Sequence, residues 1–234
     1  MEKILFLDFD GVLFDTASEA YQVCIHTEAF KNIKLPPNSL ETFFLYRAMI
    51  GPAWNYYYIM NAIIKSKKCS KLDFKESISS KKFENDFFST RQKLKKNNYL
   101  EWLSLNQAYT FVERLKLSIS SNLDIYIITT KDKQTVKDLL DAHKIQYINH
   151  NNIFGKESFN LFGSKREIIL NILGDREYKA IFVDDLSTHL EKCENIKNLQ
   201  CIQAGWGYID YRSKYICTQM EVLKKIKDLG SSCE

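Results

Sequence analysis

Apolar residues along this chain follow two spacings. KILFLDF (3–9), LDIYIIT (123–129), IQYIN (145–149) and YKAIFVDD (178–185) are short apolar runs closed by polar or turn-forming residues, and LQCIQA (199–204) is a weaker fifth. Continuous short runs of this kind read as parallel strands buried on both faces. Between them, residues 107–119, 132–143, 164–173 and 187–195, with a last stretch near 218–229, carry helical spacing. Ser164 stands where the N-cap of the third stretch falls, and Glu167 is its capping-box partner. Strand and helix in alternation imply right-handed crossovers, and so an α/β fold: a three-layer, Rossmann-like core around a parallel sheet of about five strands. Ligands of such sheets sit at the carboxyl ends of the strands.

Residues 16–106 break the alternation. They read as helical, with aromatic-rich stretches FFLYRAMI (43–50) and WNYYYIMNAII (54–64), a Pro-Pro at 36–37 and the Lys/Ser-rich segment KSKKCSKLDFKESISSKK (65–82). The expected organisation is a core of residues 1–15 and 107–234, with a helical domain of residues 16–106 inserted between the first strand and the rest of the sheet. The aromatic cluster Trp54, Tyr56, Tyr57 and Tyr58 reads as helix packing.

Composition narrows the function classes. A chain of 234 residues, 45% hydrophobic and 26% charged, is long enough to bury a substantial core. No apolar stretch approaches the roughly 18 residues of a membrane helix. The N-terminus lacks a signal-peptide pattern, so the expectation is a cytoplasmic protein with no membrane partner. Six cysteines without a C-x-x-C pair argue against a structural zinc site and a disulfide framework; they read as reduced thiols. Residues 16–106 hold 14 Lys and Arg against 8 Asp and Glu, and the other 143 residues hold 19 against 21. This modest basic excess reads as a solvated surface suited to an anionic substrate, not as a nucleic-acid site.

The candidate chemistry lies where strands end on acid. FLDFD closes on Asp8 and Asp10, and FVDD on Asp184 and Asp185. In one parallel sheet these four carboxylates converge on one edge, which is costly unless a cation is present. Hard oxygen ligands suit Mg²⁺. The run IYIITTK ends on Thr129 and Thr130 with Lys131 beyond, and Lys165 opens a predicted helix. Hydroxyl, ammonium and metal together can bind a phosphoryl group and stabilise charge on its oxygens.

These residues resemble the motifs of the haloacid dehalogenase superfamily. DFDGVLFDT (8–16) matches its first motif, DxDGxLxDT; IITTK matches the second, Lys165 the third and VDD the fourth. The resemblance extends over essentially the whole chain, and the inserted helices fall where the family's helical cap of the first class sits. It implies that Asp8 is a nucleophile forming an aspartyl-phosphate and Asp10 the general acid and base. Thr129 would bind phosphoryl oxygens, and Lys165 would neutralise charge on them and on Asp8. Mg²⁺ would be held by Asp8, the carbonyl of Asp10 and Asp185, with Asp184 a further ligand or a partner of the ligands. His189 stands where many members carry the last aspartate of GDxxxD.

Gly11 is expected to turn the backbone after Asp10 while leaving room for the phosphoryl group. Thr130, Lys131 and Arg47 are further candidates for substrate contact, Arg47 for a carboxylate or second phosphate. The implied activity is Mg²⁺-dependent hydrolysis of a small phosphorylated metabolite, as in phosphoglycolate phosphatase-like members. A sugar phosphomutase of the β-phosphoglucomutase kind and a non-catalytic binding protein on the same fold are the alternatives.

Overall fold

The computed structural model describes residues 1–66, 73–209 and 215–231. The chain forms two compact units, one of Met1–Asp15 and Ala108–Glu234, the other of Thr16–Gln107.

The first unit is built on a six-stranded, all-parallel sheet. In chain order its strands are β1 (Glu2–Leu7), β2 (Leu123–Ile128), β3 (Ile153–Phe154), β4 (Tyr178–Asp184), β5 (Leu199–Ala204) and β6 (Ile216–Cys217). They lie in the order β3-β2-β1-β4-β5-β6. β1 is central, pairing with β2 through Leu7↔Ile127 and with β4 through Leu7↔Val183. Ile4, Leu5, Phe6 and Leu7 are all buried, as a strand covered on both faces requires.

The sheet has six strands where the sequence predicted about five, and one of those was misplaced. Residues 145–149 form no strand; Ile153–Phe154 pairs with β2 instead. Ile145 and Ile148 still plug the core. The Ile145 N–H is taken by the Leu140 carbonyl at 2.8 Å, and the Tyr147 hydroxyl donates to the Val112 carbonyl at 2.8 Å. The run is apolar because it seals a helix end, a role that leaves the same hydropathy trace as a strand.

In the helical unit stand α1 (Ala17–His26), α2 (Ser39–Leu45), α3 (Asn55–Ile64), α4 (Ile78–Asn97) and α5 (Tyr99–Ser104). Its core is strongly aromatic. Tyr56 stacks between Phe43, at 5.4 Å, and Phe87, at 5.3 Å. A buried ion pair ties α1 to α4: Arg91 donates to Glu19 from Nε at 2.6 Å and from Nη2 at 2.9 Å. Trp102 Nε1 adds a third donor at 3.2 Å.

The α/β unit adds α6 (Thr110–Ser118), α7 (Lys133–Ala142), α8 (Lys156–Phe162), α9 (Lys165–Leu173), α10 (Ser187–Glu191) and α11 (Gln219–Ser231). Ile4, Phe6, Ala180 and Phe182 pack with Ile168, Ile169 and Ile172 of α9 and Leu190 of α10. α11 lies against β1, β4, β5 and α6. Cys24, Cys193, Cys201 and Cys217 are free thiols; Cys69 and Cys233 fall outside the described residues. No helix among the described residues is long and apolar enough to cross a membrane.

Removing the Glu19 charge takes a buried carboxylate away from the buried Arg91 guanidinium. Glu19→Gln is therefore expected to cost about 3–5 kcal/mol, read as a lower urea midpoint by circular dichroism. Unchanged stability would mean that the pair contributes nothing to the helical unit.

Candidate active site

Register decides which side chains meet. The pairings of Leu7 with Ile127 and Val183 bring residues 8, 128 and 184 level at the carboxyl edge. The Asp8 N–H extends the ladder to the Val183 carbonyl at 2.9 Å. Ser164 caps α9 by accepting from the Glu167 N–H at 3.2 Å, so the helix begins at Lys165. The expected reciprocal bond is replaced: the Glu167 carboxylate pairs with Arg166 at 3.0 Å. Lys165 Nζ lies 2.9 Å from Asp8 Oδ1 and 2.7 Å from Asp184 Oδ2. A cation in a first helical turn opposes the helix dipole; two carboxylates offset it here.

Asp184 is fully buried and heavily engaged. Its Oδ1 accepts the Leu186 N–H at 2.9 Å, and His189 Nδ1 lies 3.1 and 3.0 Å from its two oxygens. Burial opposes ionisation of Asp184, but His189 and Lys165 outweigh it and hold the carboxyl well below the usual range. Lys165 is likewise held above the usual lysine range despite its burial, by Asp184 and Asp8. Asp8 goes the other way. Burial, reinforced by the Asp184 charge and only partly countered by Lys165, pushes its carboxyl up to about 6.

Asp185 is oriented by the loop after β5. Its Oδ2 accepts the Tyr208 N–H at 2.8 Å, and its main-chain carbonyl accepts Gln203 Nε2 at 2.7 Å. The same loop grips the turn after β1: Trp206 Nε1 donates to the Val12 carbonyl at 3.0 Å, and the Tyr208 hydroxyl to Asp15 Oδ1 at 2.6 Å. In that turn the N–H groups of Leu13 and Phe14 both bond the Phe9 carbonyl, and Gly11 N–H bonds Phe14. Gly11 has φ +82°, and a Cβ there would lie 2.0 Å from Asp185 Oδ2. Glycine is thus demanded by the backbone and by Asp185. A Cβ on Gly207 would come within 2.1 Å of the Gly11 carbonyl oxygen. Gln203, Tyr208 and His189 were not among the expected site residues; the trace of Tyr208 is the GWGY stretch beyond β5, whereas Gln203 lies within β5 itself.

On the other side of β1 the turn after β2 supplies Thr129 and Lys131, both buried. The Thr129 N–H bonds the Phe154 carbonyl at 3.0 Å, and its Oγ1 accepts the Lys131 N–H at 3.2 Å. Lys131 Nζ lies 3.1 Å from Asp10 Oδ1. Thr130 is half-buried in the same turn. Arg47 belongs to the helical unit and is buried there: it donates to the Ile50 carbonyl at 3.4 Å, with its guanidinium 5.7 Å from the Tyr56 ring centre.

The donor set fits a hard divalent cation. Asp8, Asp184 and Asp185 each offer a buried carboxylate oxygen, all within 4.8 Å of one another. Of the three, Asp8 and Asp184 share the Lys165 ammonium. The Asp10 side chain stands outside this trio, at Lys131.

The class defined by these features is a doubly wound α/β protein with acidic residues at the carboxyl edge of its central strands and an inserted helical unit. More particularly, the fold is the haloacid dehalogenase-like fold. No family model matches the chain, and no curated protein matches it. Solved structures do. A haloacid dehalogenase-like family hydrolase from Streptococcus pneumoniae superposes with a TM-score of 0.65 at 19% identity, over 96% of this chain and 98% of its own. A structure described as a predicted phosphatase from Clostridium acetobutylicum gives 0.67 at 18% identity, over 97% and 99%. One described as a predicted phosphoglycolate phosphatase from Haemophilus somnus gives 0.66 at 17% identity, over 96% and 97%.

Because Gly207 presses on the Gly11 carbonyl, Gly207→Ala is expected to push the two loops apart and cost about 1–3 kcal/mol. A thermal midpoint equal to wild type would show that the loops separate freely.

Proposed function

We propose that the protein is a Mg²⁺-dependent phosphatase acting on a small phosphate monoester through an aspartyl-phosphate on Asp8. The observation that carries this reading is the trio of buried carboxylates, Asp8, Asp184 and Asp185, gathered with one ammonium at the end of the central strands. A buried nucleophile against a lysine and a metal-sized acidic cluster serves phosphoryl transfer, where charge must be balanced on the equatorial oxygens.

In this reading an Asp8 oxygen attacks phosphorus in line with the ester bond, which breaks as Asp10 delivers a proton to the departing alkoxide oxygen. Asp10, now ionised, takes a proton from water. The hydroxide attacks the same phosphorus, releasing inorganic phosphate and restoring Asp8. Thr129 hydrogen-bonds the phosphoryl oxygens, and Lys165 neutralises charge on them and on Asp8. Mg²⁺, held by Asp8, Asp185 and the Asp10 carbonyl, would supply further charge neutralisation when bound. Asp184, which already accepts from Lys165 and the Leu186 N–H, orients the lysine and serves as a further ligand. The helical unit is read as a cap that selects the substrate and excludes water during transfer; Gly11, Thr130 and Arg47 are read as substrate-binding.

A panel of phosphorylated metabolites, run with wild type and Asp8→Asn, tests the mechanism. Asp8→Asn is expected to lose at least about a thousandfold in kcat; equal turnover by the two proteins would sink it. Undiminished turnover in EDTA would remove the metal. Acidity gives a second test. The Asp8 carboxyl is raised from 3.8 to about 6 in the fold, so its ionisation burdens the metal-free protein as pH climbs through that interval. The cation relieves that burden and must displace a proton at lower pH. MgCl₂ should therefore raise Tm more at about pH 7.5 than at about pH 5, with the difference much reduced in Asp8→Asn.

A further inference from the structure

We infer that Lys131 is the positioning residue for Asp10, acting on proton transfer to and from the reacting oxygens and not on binding of the phosphate. The inference rests on the phosphatase reading above and deepens it.

Lys131 is no solvated lysine. Its side chain is 2% exposed, while that of Asp10 is 16% exposed. Burying an ammonium is costly unless it is paired, and the Asp10 carboxylate at 3.1 Å supplies that pairing.

The backbone beneath Lys131 is pinned on several sides. Its N–H is held by Thr129 Oγ1 at 3.2 Å, and its carbonyl accepts the Lys156 N–H at 2.9 Å. Two residues on, the Lys133 N–H is taken by Glu157 Oε2 at 3.2 Å. Asp132 caps α7 through the Thr135 N–H at 2.9 Å. Gly155 fits beneath this turn only because it lacks a side chain; a Cβ would lie 2.6 Å from the Lys133 nitrogen and 2.9 Å from the Lys131 carbonyl oxygen. A turn clamped in this way gives the lysine stem a fixed origin.

Asp10 needs such a partner. It follows the last strand-like residues of β1, in a turn whose bonds are made by Phe9, Gly11, Leu13 and Phe14 main-chain groups, and its side-chain torsions are not set by the sheet. A group that donates a proton to one oxygen and later takes one from water must keep its carboxylate in reach of both. The two reactive carboxylates thus each have an ammonium: Lys165 for Asp8 and Lys131 for Asp10. The same turn that offers the Thr129 hydroxyl delivers the Lys131 charge, so the two sides of the reaction are aligned by one piece of backbone.

The consequence is a dependence on the leaving group. Protonation matters for an alkoxide and hardly for p-nitrophenolate, so kcat/KM for glycerol phosphate and for p-nitrophenyl phosphate should be measured in wild type, Lys131→Met and Asp10→Asn. Lys131→Met is expected to lose about 100-fold or more on glycerol phosphate and far less on p-nitrophenyl phosphate, following the pattern of Asp10→Asn. Equal losses on the two esters would assign Lys131 to phosphate binding and overturn the inference, as would no loss. In the crystal structure of Lys131→Met the Asp10 carboxylate should leave its wild-type position; an unmoved carboxylate would also overturn it. A wild-type protein that hydrolyses neither ester would sink the phosphatase reading, and the Asp10 position would still decide the role of Lys131.

Discussion

The contact on which the site depends is the Lys165 ammonium held between Asp8 and Asp184. Three buried charges are tolerable only if their geometry is set in advance, because the desolvation of each must be repaid by the others. Each of the three side chains is placed by a different element: Asp8 by the central strand, Asp184 by its neighbour, Lys165 by a capped helix start. Asp184, with His189 and Lys165 against it, is held well below the usual carboxylate range, whereas burial raises the Asp8 carboxyl to about 6.

Around that centre, two loops are locked together by the absence of side chains. Gly11 makes space for the Asp185 carboxylate, and Gly207 makes space for the Gly11 carbonyl. Trp206 and Tyr208 then tie the same two loops by hydrogen bonds to Val12 and Asp15. The second lysine, Lys131, rises from a third loop that is sealed in turn by Gly155. Catalytic edges of parallel sheets are made of loops, and here rigidity comes from close backbone approach at those glycines more than from apolar packing.

Much of this was legible in the chain. The acidic endings of β1 and β4, the hydroxyls after β2 and the N-cap before Lys165 are local patterns, and each reports a local requirement: a strand end, a turn, a helix start. The failures have the same physical basis. IQYIN looked like a strand because burial, not pairing, governs hydropathy, and the strand itself, Ile153–Phe154, is too short to carry a period. The partner of Lys131 was not legible, because a lysine's surroundings are not written in its neighbours.

By itself, then, the sequence determined the class of fold and the chemical kinds of group at one sheet edge, since apolar period and strand-end acids are properties of contiguous residues. The tertiary structure alone decided the pairing: Lys165 with Asp8 and Asp184, Lys131 with Asp10, Tyr208 with Asp185. Those partners stand between 19 and 157 positions apart in the chain, and only the register of a parallel sheet brings them within hydrogen-bonding distance.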